Sequence, residues 1–161
     1  MKKVSLVLCI LGVSLLLGGQ IAWAGNPLYA NVIANALCTV DGTDVMVDAG
    51  LTQKDAPSSG PVIDQVTFAL EEHFPNQRDW KPIAGSLVTV DFVPNVVFDL
   101  LPAGDRYDVA THDYTDLCSL VDPNANAVRP VVEITVVNAN PKRPGGLVFT
   151  GRCISFPNPC R

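Results

Sequence analysis

The chain has two histidines, His73 and His112, and their spacing fits neither the H-x-x-x-H nor the H-E-x-x-H pattern of a zinc site. His112 stands beside Asp113, a neighbour suited to a catalytic or metal role. A histidine hydrogen-bonded on the surface meets the same description. No G-x-S-x-G elbow, C-x-x-C pair, glycine-rich phosphate loop, basic cluster, N-x-S/T sequon or internal repeat is present. Each absence removes a class of function, and the chain reads as a protein that is not an enzyme. A small hydrolase with an unrecognised site is the outlying reading, and a pocket joining His112 to two carboxylates would favour it. Oxygen and sulfur chemistry remain. Asp55 lies in one loop, and Asp113, Asp116 and Asp122 lie in another. Brought together, such carboxylates hold calcium, which takes six to eight oxygen ligands. Kept apart, they form a solvated acidic rim.

The sulfur atoms point to a compartment. Lys2 and Lys3 precede an apolar run from Val4 to Leu17, two glycines follow, and Ala22-Trp23-Ala24 supplies small residues at the cleavage positions. A charged start, a short apolar core and an A-x-A site make a signal peptide of residues 1–24. The run is too short to span a bilayer, and no second long apolar run follows, so no membrane span is expected after cleavage. Cys9 leaves with the leader, and four cysteines stay: Cys38, Cys118, Cys153 and Cys160. An even number in an oxidising compartment favours disulfides over metal binding or catalysis, with periplasm or extracellular space as the destination. Four cysteines allow three pairings. The turn chemistry of Phe156-Pro157-Asn158-Pro159 favours Cys153–Cys160, which leaves Cys38–Cys118.

Charge narrows the partners. The net charge of −5 becomes more negative by two when Lys2 and Lys3 leave. An acidic surface repels nucleic acid and anionic membranes, so a protein or another envelope component is the expected partner.

The elements that must carry these residues read as strands. Asp outnumbers Glu thirteen to three, which favours turns and caps over helix interiors. Asn31 to Val40 runs into Asp41-Gly42, a hairpin signal, and Thr43 to Leu51 returns. Gln53 to Gly60 is a loop. Gln65 to Leu70 alternates as a strand, although Val62, Val66, Leu70 and Phe74 also recur at helical spacing; strand is preferred. Leu87 to Val93, Asn95 to Leu101, Tyr107 to Ala110, Val131 to Val137 and Leu147 to Phe156 complete the set, with a long loop from Asp113 to Arg129. Seven or eight short strands with turns between them, and no βαβ alternation, indicate a sandwich.

One stretch is more specific. Leu101-Pro102-Ala103-Gly104-Asp105-Arg106-Tyr107-Asp108-Val109 resembles the E–F corner of fibronectin type III and bacterial immunoglobulin-like domains. There a Leu-Pro-x-Gly turn precedes a strand whose Tyr hydroxyl bonds back to the turn backbone. Ala110-Thr111-His112-Asp113 is similar to the end of their strand F. Gly60 to Phe68 is similar to strand C, with Trp80 shortly after, and Val132 to Asn138 to strand G. The resemblance spans residues 30 to 138. Tyr114 to Cys118 replaces the usual Gly-Asn, the loop before strand G is long, and Asn140 to Arg161 has no counterpart.

The resemblance implies an all-β, immunoglobulin-like antiparallel β-sandwich of seven to eight strands over residues 25–139. Residues 140–161 form a disulfide-bearing C-terminal extension, an added strand and disulfide loop. It implies that Tyr107 is a structural corner residue. It also puts Asp55 in the B–C loop and Asp113, Asp116 and Asp122 in the F–G loop, at one end of the sandwich, as the calcium candidates. No other cofactor is expected. Trp80 belongs on or beside the core, with ligand stacking as its other use. The fold hosts many jobs. The expected one is a non-catalytic binding or structural module acting through loops or a sheet edge, and the alternative is a small secreted or periplasmic enzyme inhibitor.

Overall fold

The computed structural model describes residues 30–55, 59–140, 142–143 and 145–161. The leader read at 1–24 lies outside the described residues. The chain is all-β, a pair of antiparallel sheets packed face to face. Among the described residues nine strands form: β1 (Val32–Asp41), β2 (Asp44–Gln53), β3 (Val62–His73), β4 (Lys81–Pro82), β5 (Val88–Val97), β6 (Arg106–Tyr114), β7 (Ala127–Val136), β8 (Leu147–Arg152) and β9 (Phe156–Pro157). The count exceeds the expected seven or eight because β4 and β9 are two-residue pieces.

The first sheet has the order β1-β2-β6. In the second, β3 and β7 pair at the centre, β4 and β5 flank β3, and β8 and β9 flank β7. Alternation is the cause of this layering, since successive side chains of a strand point to opposite faces. Val45, Val47, Ala49 and Leu51 turn inward from β2, and Val128, Val132, Ile134 and Val136 turn inward from β7. In β3 the register shifts between Ile63 and Gln65, so burial steps from Ile63 to Val66, Phe68 and Leu70 without breaking the core. The helical spacing of Val62, Val66, Leu70 and Phe74 is a coincidence of that shift.

Three features differ from the sequence reading. Residues 87–93 and 95–101 read as two strands, but β5 runs through Pro94 as one. Proline lacks an N–H, and β5 tolerates it because it pairs only with β3 and its register with that strand slips there. The long loop begins after Tyr114, contains one 3₁₀ turn at Leu117–Ser119, and ends where β7 starts at Ala127.

The third difference concerns placement. The resemblance puts the corner strand next to the strand read as G, but β6 closes the other sheet, paired with β2. Because β2 and β6 are antiparallel neighbours, the loops that follow them leave at opposite ends of the molecule. Residues 140–161 are built in: β8 pairs with β7 along six residues. Where β8 passes β1 the sheets come close, and a Cβ on Gly151 would lie 2.7 Å from the Asn35 carbonyl carbon. Only glycine permits that approach.

Candidate functional site

The four candidate calcium ligands are not assembled. Asp55 follows β2 at the Arg106 end of β6, whereas Asp113 pairs with Met46 at the other end. Nine residues of strand, roughly 30 Å, separate the two positions. Three of the four are already used locally. Asp55 accepts from Asn31 Nδ2 at 3.1 Å. Asp116 adopts φ 53°, and its N–H donates to Asp44. The Asp122 carboxylate accepts from both the N–H and the amide of Asn124, shaping a turn. Among the described residues, no group of three or more His, Cys, Asp and Glu side chains could hold a metal ion.

The disulfides pair differently from the expectation. Cys38 joins Cys153, and Cys118 joins Cys160, with Cα–Cα distances of 5.9 and 5.3 Å. The Phe156–Pro157 segment does not double back; it pairs with Val128 and Ala127 as an extra rung. That carries Cys160 on to Cys118. Buried Asn158 guides the path, donating to the Asp122 and Ala125 carbonyls at 3.0 Å each and accepting from Cys160 N–H. Two formed disulfides match the chemistry of an oxidising compartment. No helix among the described residues is long and apolar enough to cross a membrane.

Tyr107 bonds back to the turn that precedes it. Its buried hydroxyl accepts from Leu101 N–H at 3.0 Å, the expected bond to the turn. It also donates to Gln53 Oε1 at 2.7 Å. Gln53 is itself buried, and its amide donates to the Asn31 carbonyl. The sequence offered no signal for Gln53, which is 54 residues away from Tyr107.

Both histidines are packing residues here. His112 turns inward from β6, its ring 4.5 Å from Tyr114, edge-on, and 5.5 Å from Phe68 of the facing sheet. His73 lies against Trp80 and bonds Asn126. Trp80 sits on the outer side of the second sheet, not in the core. The Arg129 guanidinium covers its ring at 4.2 Å while bonding Glu71 at 2.7 Å. The guanidinium occupies a ring face that a ligand would use, and Glu71 holds it there.

The sequence reading missed a cleft of about 290 Å³ at the seam between the sheets. Ala36, Cys38 and Val40 of β1 line one wall, Ser155 and Phe156 the other, and the Cys38–Cys153 disulfide bridges them. Leu37 and Ile154 form the rim, and Ile154 is 92% exposed. Every carboxylate, imidazole, ammonium and guanidinium lies outside this lining. The cleft therefore offers contact and water exclusion without acid–base chemistry. Its volume suits one or two apolar side chains better than a drug-sized ligand. Alternation along β1 was legible, but its proximity to residues 153–156 depends on the disulfide pairing.

No family model matches the chain, and no characterised protein matches it. Among solved structures it is similar to the solution structure of R. palustris CsgH, at 11% identity over 81% of this chain and 94% of that one. The TM-score is 0.35, so this likeness carries no argument about function.

Proposed function

We propose that the protein is an exported, non-catalytic binding module of the cell envelope or extracellular space, which seats an apolar side chain of a protein partner in the cleft beside Cys38–Cys153. The observation that carries this is the nearly full exposure of Ile154 on a rim shared with Leu37, over a lining free of titratable groups. Clustered exposed apolar residues of this kind mark interaction surfaces. Export is supported by the leader pattern and the two disulfides. Within this proposal the sandwich is immunoglobulin-like, with β1, β2 and β6 in the places of strands A, B and E, and β5, β3, β7 and β8 in those of C′, C, F and G. The corner residue Tyr107 then opens strand E, one strand earlier than its sequence surroundings suggest.

The test is co-purification from the native host with the wild type and with Ile154→Asp. A partner present with the wild type and absent with the variant, at unchanged melting temperature, is the expected outcome. A partner retained by Ile154→Asp, or found instead to be a turned-over substrate, overturns the proposal.

A further inference from the structure

The edge opposite the cleft has an unusual property. Among the described residues, β6 pairs with β2 on one side only. Which of its backbone groups face outward follows from the ladder. Asp41 and Asp44 close a two-residue turn, and Lys54 N–H donates to Asn31 O, so even-numbered residues of β2 bond toward β1. Odd-numbered ones bond toward β6, as Gln53 does with Asp105 O. Their partners on β6 are Tyr107, Ala110, His112 and Tyr114. The N–H and C=O groups of Arg106, Asp108, Thr111 and Asp113 consequently point to the open edge.

Between Asp108 and Thr111 there is one residue too many, because β2 passes directly from Gly50 opposite Asp108 to Ala49 opposite Ala110. Val109 is the bulged residue. A bulge ordinarily guards an edge, since a regular incoming strand lacks the extra residue and loses register beyond it. A strand with the same insertion at the same place does not.

We propose that β6 pairs with β6 of a second copy of this chain, antiparallel about an axis between Val109 and Ala110, to give a continuous six-stranded sheet across the dimer. In this register Arg106 of one copy faces Asp113 of the other, Asp108 faces Thr111, and the two bulges lie opposite each other. All four outward-bonding residues meet outward-bonding residues, so each pair exchanges two backbone hydrogen bonds. Opposed residues also share a sheet face: Arg106 and Asp113 lie on the outer face, and Tyr107 and His112 on the inner one. Shifting the register by one residue would break the bond pattern and the face matching together. Opposite charge at Arg106 and Asp113 adds complementarity at each end of the contact, while the Arg106 guanidinium keeps its bonds to Asn35 and the Asp48 carbonyl.

Amide exchange of the full secreted chain at several concentrations tests the pairing. The Asp108 and Thr111 amides, without partners among the described residues, exchange fast when dilute and slow when concentrated, in step with dimer mass by sedimentation. Tyr107 and His112 amides stay protected throughout. Thr111→Pro removes an outward N–H that no contact among the described residues uses, and it yields a folded monomer. Asp113→Arg sets arginine against arginine at both ends and weakens the dimer roughly tenfold. The inference is overturned by free exchange of Asp108 and Thr111 at every concentration, or by a dimer that survives Thr111→Pro. Neither result bears on the cleft, which lies along β1 at the far edge of the same sheet.

Discussion

At the scale of single residues, two tyrosines of β6 carry the polar accounting of the core. Tyr107 links the corner to Gln53, and Tyr114 donates to the buried Ser86 carbonyl at 2.8 Å. Tyr107→Phe leaves both the Leu101 N–H and the Gln53 amide oxygen without a partner. The expected loss is about 1–3 kcal/mol, read as a lower urea midpoint at unchanged slope. Burial raises the Tyr114 phenol above its ordinary range because the phenolate would lose its water. The sign follows: the folded state keeps this proton where the unfolded chain has released it. The stabilisation is therefore complete below the unfolded value of about 10 and is lost as pH climbs through the higher folded value. Melting temperature should fall between about pH 10 and pH 11 in the wild type, and less steeply in Tyr114→Phe. The role of Tyr107 was legible because a Leu-Pro-x-Gly turn lies just before it in the chain. Gln53 was not legible, since nothing in the composition of a Gln-Lys-Asp turn says that its first side chain is buried.

At the scale of elements, alternation revealed the strands but not their neighbours. Val131 to Val137 and Gln65 to Leu70 were placed correctly because period-two burial leaves its mark on every second residue. The side of the sandwich to which β6 belongs leaves no such mark. Its end residues were therefore assigned to the wrong pole, and the calcium grouping of Asp55 with Asp113, Asp116 and Asp122 depended on that assignment. The cysteine pairing failed for a related reason. A Pro-Asn-Pro turn signals a change of direction, but here Phe156 and Pro157 first add a rung to β7. Cys38–Cys153 closes 115 residues and Cys118–Cys160 closes 42. Under the chain-entropy description the longer closure restricts the unfolded chain more, by about 0.9 kcal/mol. Replacing Cys38 and Cys153 by Ala should thus destabilise the protein more than replacing Cys118 and Cys160. Chemical denaturation of the two double variants makes the comparison, and the reverse ranking would mean that packing around the bridges in the folded state outweighs loop closure in the unfolded one.

At the scale of the whole molecule, the first sheet presents different chemistry at its two borders. Along β1 the cleft offers apolar side chains around a disulfide, and along β6 the strand offers unpaired backbone with a built-in irregularity. Between them Arg106 lies across Gly50 to reach Asn35 Oδ1 at 2.6 Å and the Asp48 carbonyl at 3.2 Å, and it pairs with Asp108. That arrangement ties the outer face of all three strands into one rigid plate. Dimerisation through one border would leave the other free, so a dimer would display two clefts facing away from each other. Variants at Ile154 and at Asp113 should accordingly act on separate readouts.

Chain order also bears on how the bridges close. Cys38 and Cys118 are both synthesised before Cys153 and Cys160, and the folded protein does not join them to each other. Each waits for a sulfur within residues 153–160, so a chain oxidised with only its first 152 residues available can close only a mismatched bridge. Residues 153–160 thus serve as the latch for both ends of the fold.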